Sequence, residues 1–166
     1  SISRSSISEK NIVSFKNINL KKIIDEYQKK YSVNKKVNII ILSGSQSDSE
    51  FVDKIKNELN ILDSKLCNIV SYVCSAHKNT KLLLDILDKY KQDKNIYITV
   101  AGMSNALSGV VACNTRHPVI ACPPFKDKLD MLVNVHSSLQ CPSKVPVMTI
   151  LEPNNVAISI SRIFSL

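Results

Sequence analysis

The sequence predicts an α/β domain whose central parallel sheet is covered by helices on both faces. Strand-like runs alternate along the chain with helical stretches of roughly 10 to 15 residues, the signature of strand–helix–strand units. The run VNIIILS at 37–43 is continuously apolar and β-branched, as a strand buried on both sides requires. Small, hydroxyl and charged residues gather in the loops that follow these runs, where such sheets bind their ligands.

In chain order, the strand at 37–43 leads through Gly44-Ser45-Gln46-Ser47-Asp48 into a helix with Val52, Ile55, Leu59 and Leu62 on one stripe. LCNIVSYV at 66–73 reads as the second strand. The helix after Thr80 places Leu83, Ile86, Leu87 and Tyr90 on one side. NIYITV at 95–100 is the third strand, followed by a helix from about Ser104. HPVIA at 117–121 is a short fourth strand, and a helix begins near Asp127. VPVMTI at 145–150 makes a fifth strand, and NNVAISISRIF the closing helix. Ahead of this domain, residues 1 to about 17 have no periodicity and read as linker or disorder. Leu20, Ile23, Ile24, Tyr27 and Tyr31 recur at helical spacing, predicting one amphipathic helix near residues 18–31. The expected division is a basic leader at 1–36 and a catalytic domain at 37–166. The chain begins at a serine, so a place within a longer protein is also expected.

Composition narrows the function classes. The net charge of +8 suggests nucleic acid until it is divided along the chain. Residues 1–36 hold nine Lys/Arg against three Asp/Glu; residues 37–166 hold thirteen against eleven. A nucleic-acid reader carries its basic stripe on the folded face, so this excess is read as a solvated tail. No apolar run approaches the ~18 to 20 residues that cross a bilayer, and no secretory signal opens the chain. A cytoplasmic protein with neither nucleic-acid nor membrane partners is expected. Cysteines 67, 74, 113, 122 and 141 include no CxxC pair, so reduced and mostly buried thiols are expected, and no metal site.

Three strand-end loops carry the chemistry. Gly44, Ser45, Ser47 and Asp48 could let backbone N–H groups approach a phosphate at a helix N-terminus. The plainer reading is capping, with Ser47 or Asp48 bonding orphan N–H groups. Neither GxGxxG nor a P-loop GK[ST] is present. Ser75, Ala76, His77 and Lys78 follow the second strand; the histidine can shuttle a proton near neutral pH, and the lysine can hold an anion. Gly102, Ser104 and Asn105 follow the third, as turn, cap or ligand contacts. Cys122-Pro123-Pro124 is a rigid corner, and the segment 137–143 could line the same cleft. Together the loops suit a phosphorylated small molecule and a proton transfer.

The motifs GSxSD, SAHK and AGxSNxL, in that order, resemble the PurE family of aminoimidazole ribonucleotide carboxylases. So do NTxxPVIxCPP at 114–124 and SSLxxPS at 137–143; the match is collinear over 37–166. The resemblance implies a three-layer flavodoxin-like or Rossmann-like domain, in accord with the alternation above. It also implies carboxylation of 5-aminoimidazole ribonucleotide to its 4-carboxy product in purine synthesis, with no ATP, biotin, metal or other cofactor. Lys78 and Ser104-Asn105 are similar to the branch that uses carbon dioxide directly, as in the animal bifunctional enzyme. The mutase branch typically has SAHR and AGGAAHLPG; mutase activity and a non-catalytic nucleotide-binding subunit are the alternatives.

By the same resemblance, Ser45 binds the 5′-phosphate, Asp48 the ribose, and Ser75 lies along the substrate. His77 moves the proton at the reacting ring carbon, and Lys78 steadies phosphate or carboxylate charge. Ser104 and Asn105 help form the carbon dioxide pocket. A homo-octamer with sites near subunit boundaries, and a fused or partner domain of the purine pathway, are implied too. The sequence departs from the family at Gln140, where animal enzymes have arginine, and at Lys144 and Asn154-Asn155, where glycine or small residues are common.

Overall fold

A computed structural model describes residues 36–164; the expected leader and its amphipathic helix lie outside the described residues. Five parallel strands form one sheet in the order β2-β1-β3-β4-β5: β1 Val37–Ser43, β2 Cys67–Val73, β3 Asn95–Val100, β4 Val119–Ala121 and β5 Met148–Thr149. The helices between and after them are α1 Ser49–Glu58, α2 Thr80–Lys89, α3 Ala106–Asn114, α4 Lys128–Leu139 and α5 Pro153–Phe164. This is the flavodoxin-like arrangement, and strand order reverses between β1 and β3.

The apolar run of β1 is explained by its two covers. Ile39 and Ile41 pack with Val52, Ile55 and Leu59 from α1 and its 3-10 extension, and with Val156, Ala157 and Ile160 of α5. Ile40 and Leu42 point the other way, into Leu83, Ile86 and Leu87 of α2 and Leu107 and Val111 of α3. β3 repeats the pattern, with Ile96, Ile98 and Val100 on the first face and Tyr97 on the second. All six β3 residues are buried. Alternate side chains of a strand leave opposite faces, so only a sheet covered twice makes such a run favourable. Each fully buried Ile or Leu contributes about 1.5–3 kcal/mol.

The sheet margins differ from expectation. β4 starts at Val119 rather than His117, although Tyr97 N still donates to Pro118 O at 2.9 Å. Proline has no N–H to continue the ladder. β5 keeps two residues of the expected six, because it is an edge strand preceded by Pro146; Ile150 N extends it by one bond to Ala121 O. At the N-terminal edge, Asn68, Asn38 and Asn95 form an amide ladder across β2, β1 and β3, closed by Asn95 Nδ2 donating to Tyr90 O at 2.7 Å.

All five cysteines are free: Cys67, Cys74 and Cys122 are buried, Cys141 half-buried and Cys113 exposed. Burial pushes the Cys74 thiol up to about 11 and, with Glu152 adding to it, Cys122 up to about 12. Titration of the native protein with a thiol reagent at pH 8 is therefore expected to give one fast reaction, at Cys113. Fast labelling of Cys74 or Cys122 in peptide maps would contradict this packing.

Candidate active site

The three motif loops leave adjacent strand ends. Ser43 stands in register with Val73 on one side and Val100 on the other. The pairing continues one step into the loops, with Cys74 N donating to Ser43 O at 2.8 Å and Gly44 N to Val100 O at 2.9 Å. A Cβ on Gly44 would sit 3.4 Å from that of Ala101, so the first and third loops leave little space between them here. Neighbouring strands run ~4.8 Å apart, which puts the loop origins within one small ligand's span at the switch point.

In the first loop, Ser45 and Asp48 form a reciprocal cap. Ser45 Oγ accepts from Ser47 N at 3.2 Å, and Asp48 Oδ2 accepts from Ser45 N at 3.1 Å. Ser47 contributes its hydroxyl to Ser45 Oγ rather than capping directly. Capping thus occurs, through Asp48 as expected and through Ser45 rather than Ser47. Partial burial raises the Asp48 carboxyl above its ordinary range, and the bond from Ser45 N lowers it in part. Ser45 and Ser47 are exposed, with their hydroxyls bonded to each other.

The second loop is a tight turn. Lys78 N donates to Ser75 Oγ, and Asn79 N to Ser75 O at 3.0 Å; Asn79 then caps α2. His77 and Lys78 sit exposed at the tip, while Ser75 and Ala76 are half-buried below.

The third loop is held from beneath. Asn105 is buried and caps α3 through Oδ1, which accepts from Ser108 N. Its backbone N donates to Ser137 Oγ at 2.7 Å, and its Nδ2 to Ser138 Oγ at 2.8 Å. Of segment 137–143, expected to line the cleft, Ser137 and Ser138 on α4 support the third loop through Asn105. Ser104 is exposed beside it, and Met103 adopts φ 55°. Asn134, which sequence reasoning missed, accepts from Met103 N at 2.7 Å and donates to Pro124 O at 2.8 Å. Its spacing of four from Ser138 puts both on one face, but Lys128, Asp130, His136 and Ser137 share the helix, so no periodicity singled it out.

Cavities of about 780 and 630 Å3 lie at the opposite, N-terminal edge of the sheet, around Asn38 and Cys67 and around Lys91 and Thr115. Neither contains a residue of the three strand-end loops, although Asn114–His117 of the NTxxPVIxCPP motif line the second. We place the candidate site at the C-terminal edge because the loops carrying Ser45, His77 and Ser104 leave adjacent strand ends there. Among the described residues, no group of three or more His, Cys, Asp or Glu could hold a metal ion. No helix among them is long and apolar enough to cross a membrane.

Residues 38–166 match the AIR carboxylase family along their whole extent. The chain belongs to that family. Among AIR carboxylase relatives, the phosphoribosylaminoimidazole carboxylase of Archaeoglobus fulgidus is 39% identical over 127 residues, 76% of this chain and 68% of that protein. The bifunctional phosphoribosylaminoimidazole carboxylase/phosphoribosylaminoimidazole succinocarboxamide synthetase of Drosophila melanogaster is 38% identical over 130 residues, 77% of this chain but 29% of that protein. The crystal structure of Treponema denticola PurE superposes with a TM-score of 0.70 at 36% identity, covering 78% of this chain and 81% of that one. Lys144, where the resemblance implied glycine or a small residue, has φ 66°, a left-handed backbone that favours glycine. Asn154 and Asn155 lie exposed in the first turn of α5.

Proposed function

We propose that this chain carboxylates 5-aminoimidazole ribonucleotide with carbon dioxide, a step of purine nucleotide synthesis, in the cytoplasm. The observation that carries the reading is the register at the ends of β1, β2 and β3, which hangs the Ser45, His77 and Ser104 loops side by side. The names of the relatives support it.

The 5′-phosphate is assigned to the Ser45 loop, with Asp48 turning to the ribose. The amino-substituted imidazole is nucleophilic in the manner of an enamine. Its ring C4 attacks the carbon of carbon dioxide, forming a C–C bond and leaving C4 with both a hydrogen and a carboxylate. His77 takes that proton, the C–H electron pair returns to the ring, and aromaticity is restored. Lys78 steadies the phosphate or the new carboxylate as a point charge. Ser104 and the backbone around Gly102 hold carbon dioxide against the ring, which supplies rate by positioning. The role of Asn105 is to fix this segment, since its amide group is spent on Ser108 and Ser138.

The assembly assigned is a homo-octamer whose subunits close over these open loops. Leu129, Leu132, Val133 and Leu139 of α4 and Met103 beside the site are all exposed, and an apolar surface of this kind supports self-association. The animal relatives named as bifunctional carry a succinocarboxamide synthetase, so a partner domain of the same pathway is also assigned.

The deciding assay offers purified protein the aminoimidazole ribonucleotide with bicarbonate and no ATP. Appearance of the 4-carboxy product, with no turnover of the N-carboxyamino isomer supplied alone, is the expected result. Turnover of that isomer without bicarbonate would make the chain a mutase, and inertness to both would overturn the reading.

A further inference from the structure

α4 is built inside out. Its buried residues are Asn134 and Ser138, whereas Leu129, Leu132, Val133 and Leu139 face outward. A surface helix ordinarily turns its apolar stripe inward, so the polar residues beneath must serve something specific. They meet the loop after β3 at three points. Asn134 Oδ1 accepts from Met103 N, Ser137 Oγ from Asn105 N, and Ser138 Oγ from Asn105 Nδ2.

Asn134 does more than fill space. It is 3% exposed, and its Nδ2 donates to Pro124 O at 2.8 Å and to Asp130 Oδ1 at 3.3 Å. One side chain therefore ties α4 to the loops after both β3 and β4. The residue it grips on the β3 side, Met103, holds a left-handed backbone that a side chain rarely adopts, and such conformations persist only when their surroundings over-determine them. The fit is close: a Cβ on Gly102 would lie 3.2 Å from Asn134 Nδ2. Met103 precedes Ser104, so its backbone angle sets where Ser104 points.

We propose that Asn134 is a positioning residue for carbon dioxide capture, holding Met103 left-handed so that Ser104 and the Gly102 backbone face the imidazole ring. This rests on the carboxylase reading above. The first and second loops carry the nucleotide and are not bonded to Asn134, so its loss divides the kinetics: capture and turnover suffer, ribonucleotide affinity does not.

The test uses the full chain and two variants. Asn134→Ala removes every bond. Asn134→Asp keeps the acceptor for Met103 N but loses the donor to Pro124 O and sets a carboxyl beside Asp130. Asn134→Ala is expected to lower kcat about 10- to 100-fold and raise the KM for bicarbonate, leaving the KM for the ribonucleotide within about twofold. Asn134→Asp is expected to keep turnover within about fivefold while its melting temperature falls at least as far as that of the alanine variant. Hydrogen exchange read by mass spectrometry should show faster exchange at 102–105 in Asn134→Ala and near-native exchange in Asn134→Asp. Turnover that simply follows melting temperature in both variants, or an Asn134→Ala enzyme within about twofold of the native one, overturns the proposal. A native protein that makes no product overturns the carboxylase reading instead, and the two failures are told apart by the native control.

Discussion

Replacing His77 by asparagine is expected to lower turnover by roughly 100- to 10,000-fold, the usual contribution of a general base, while ribonucleotide binding survives. The physical argument is local. His77 sits exposed at the tip of a turn whose backbone is held by Ser75 and by the Asn79 cap of α2, so the side chain contributes little to the fold. Asparagine keeps a polar group of similar reach but cannot accept a proton near neutral pH. The loss should therefore fall on kcat, measured as product formed under saturating ribonucleotide and bicarbonate. Isothermal titration with the ribonucleotide should give a dissociation constant close to the native one. Unchanged turnover would remove His77 from the chemistry and leave the strand-end loops as a nucleotide site without an identified base.

Truncating Ile98 to alanine is expected to destabilise the protein by about 2–5 kcal/mol, the range for an Ile-to-Ala cavity in a core. Ile98 is fully buried on β3, the middle strand of five, and it packs in the cluster shared with α1 and α5. Its backbone pairs with Ile41 on one side and Ile120 on the other. Little of the surrounding sheet can relax into the gap, which favours the upper part of the range. Chemical denaturation followed by circular dichroism would read the effect as a lower midpoint at constant slope. A shift below about 1 kcal/mol would mean that the two-sided core is looser than its burial indicates.

Much of the fold was legible because β1 and β3 are buried on both faces, and only a doubly covered parallel strand tolerates VNIIILS or NIYITV. Helix stripes such as Leu83, Ile86, Leu87 and Tyr90 were legible for the same reason: each apolar residue there meets the sheet. The margins were less so. Pro118 and Pro146 sit within apolar runs that read as strand, yet each lacks the N–H a ladder needs. At the site, the order of Ser45, His77 and Ser104 along the chain was informative because strand order in such sheets places their loops together. The contribution of α4 was only partly legible, through Ser137 and Ser138. Its leucines suggest an inward stripe, and nothing local to Asn134 reveals that a residue 31 positions earlier, Met103, depends on it. Long-range polar contacts of this kind leave no periodicity to read.

The closed geometry of the Gly44–Asp48 loop carries a consequence for how a ligand arrives. The Ser45 N–H that would greet a phosphate already holds the carboxylate of Asp48. The loop is thus not a ring of dangling donors; it is a turn closed by its own hydrogen bonds. A phosphate taking that N–H would have to displace a resident negative group, which must then find another hydrogen-bond donor. A ribose hydroxyl on the same molecule offers one at a distance, whereas inorganic phosphate has only its own P–OH beside the oxygen that takes the N–H. Selectivity for a nucleotide over its most abundant fragment can therefore begin in the lock's own internal bond, before the base is touched.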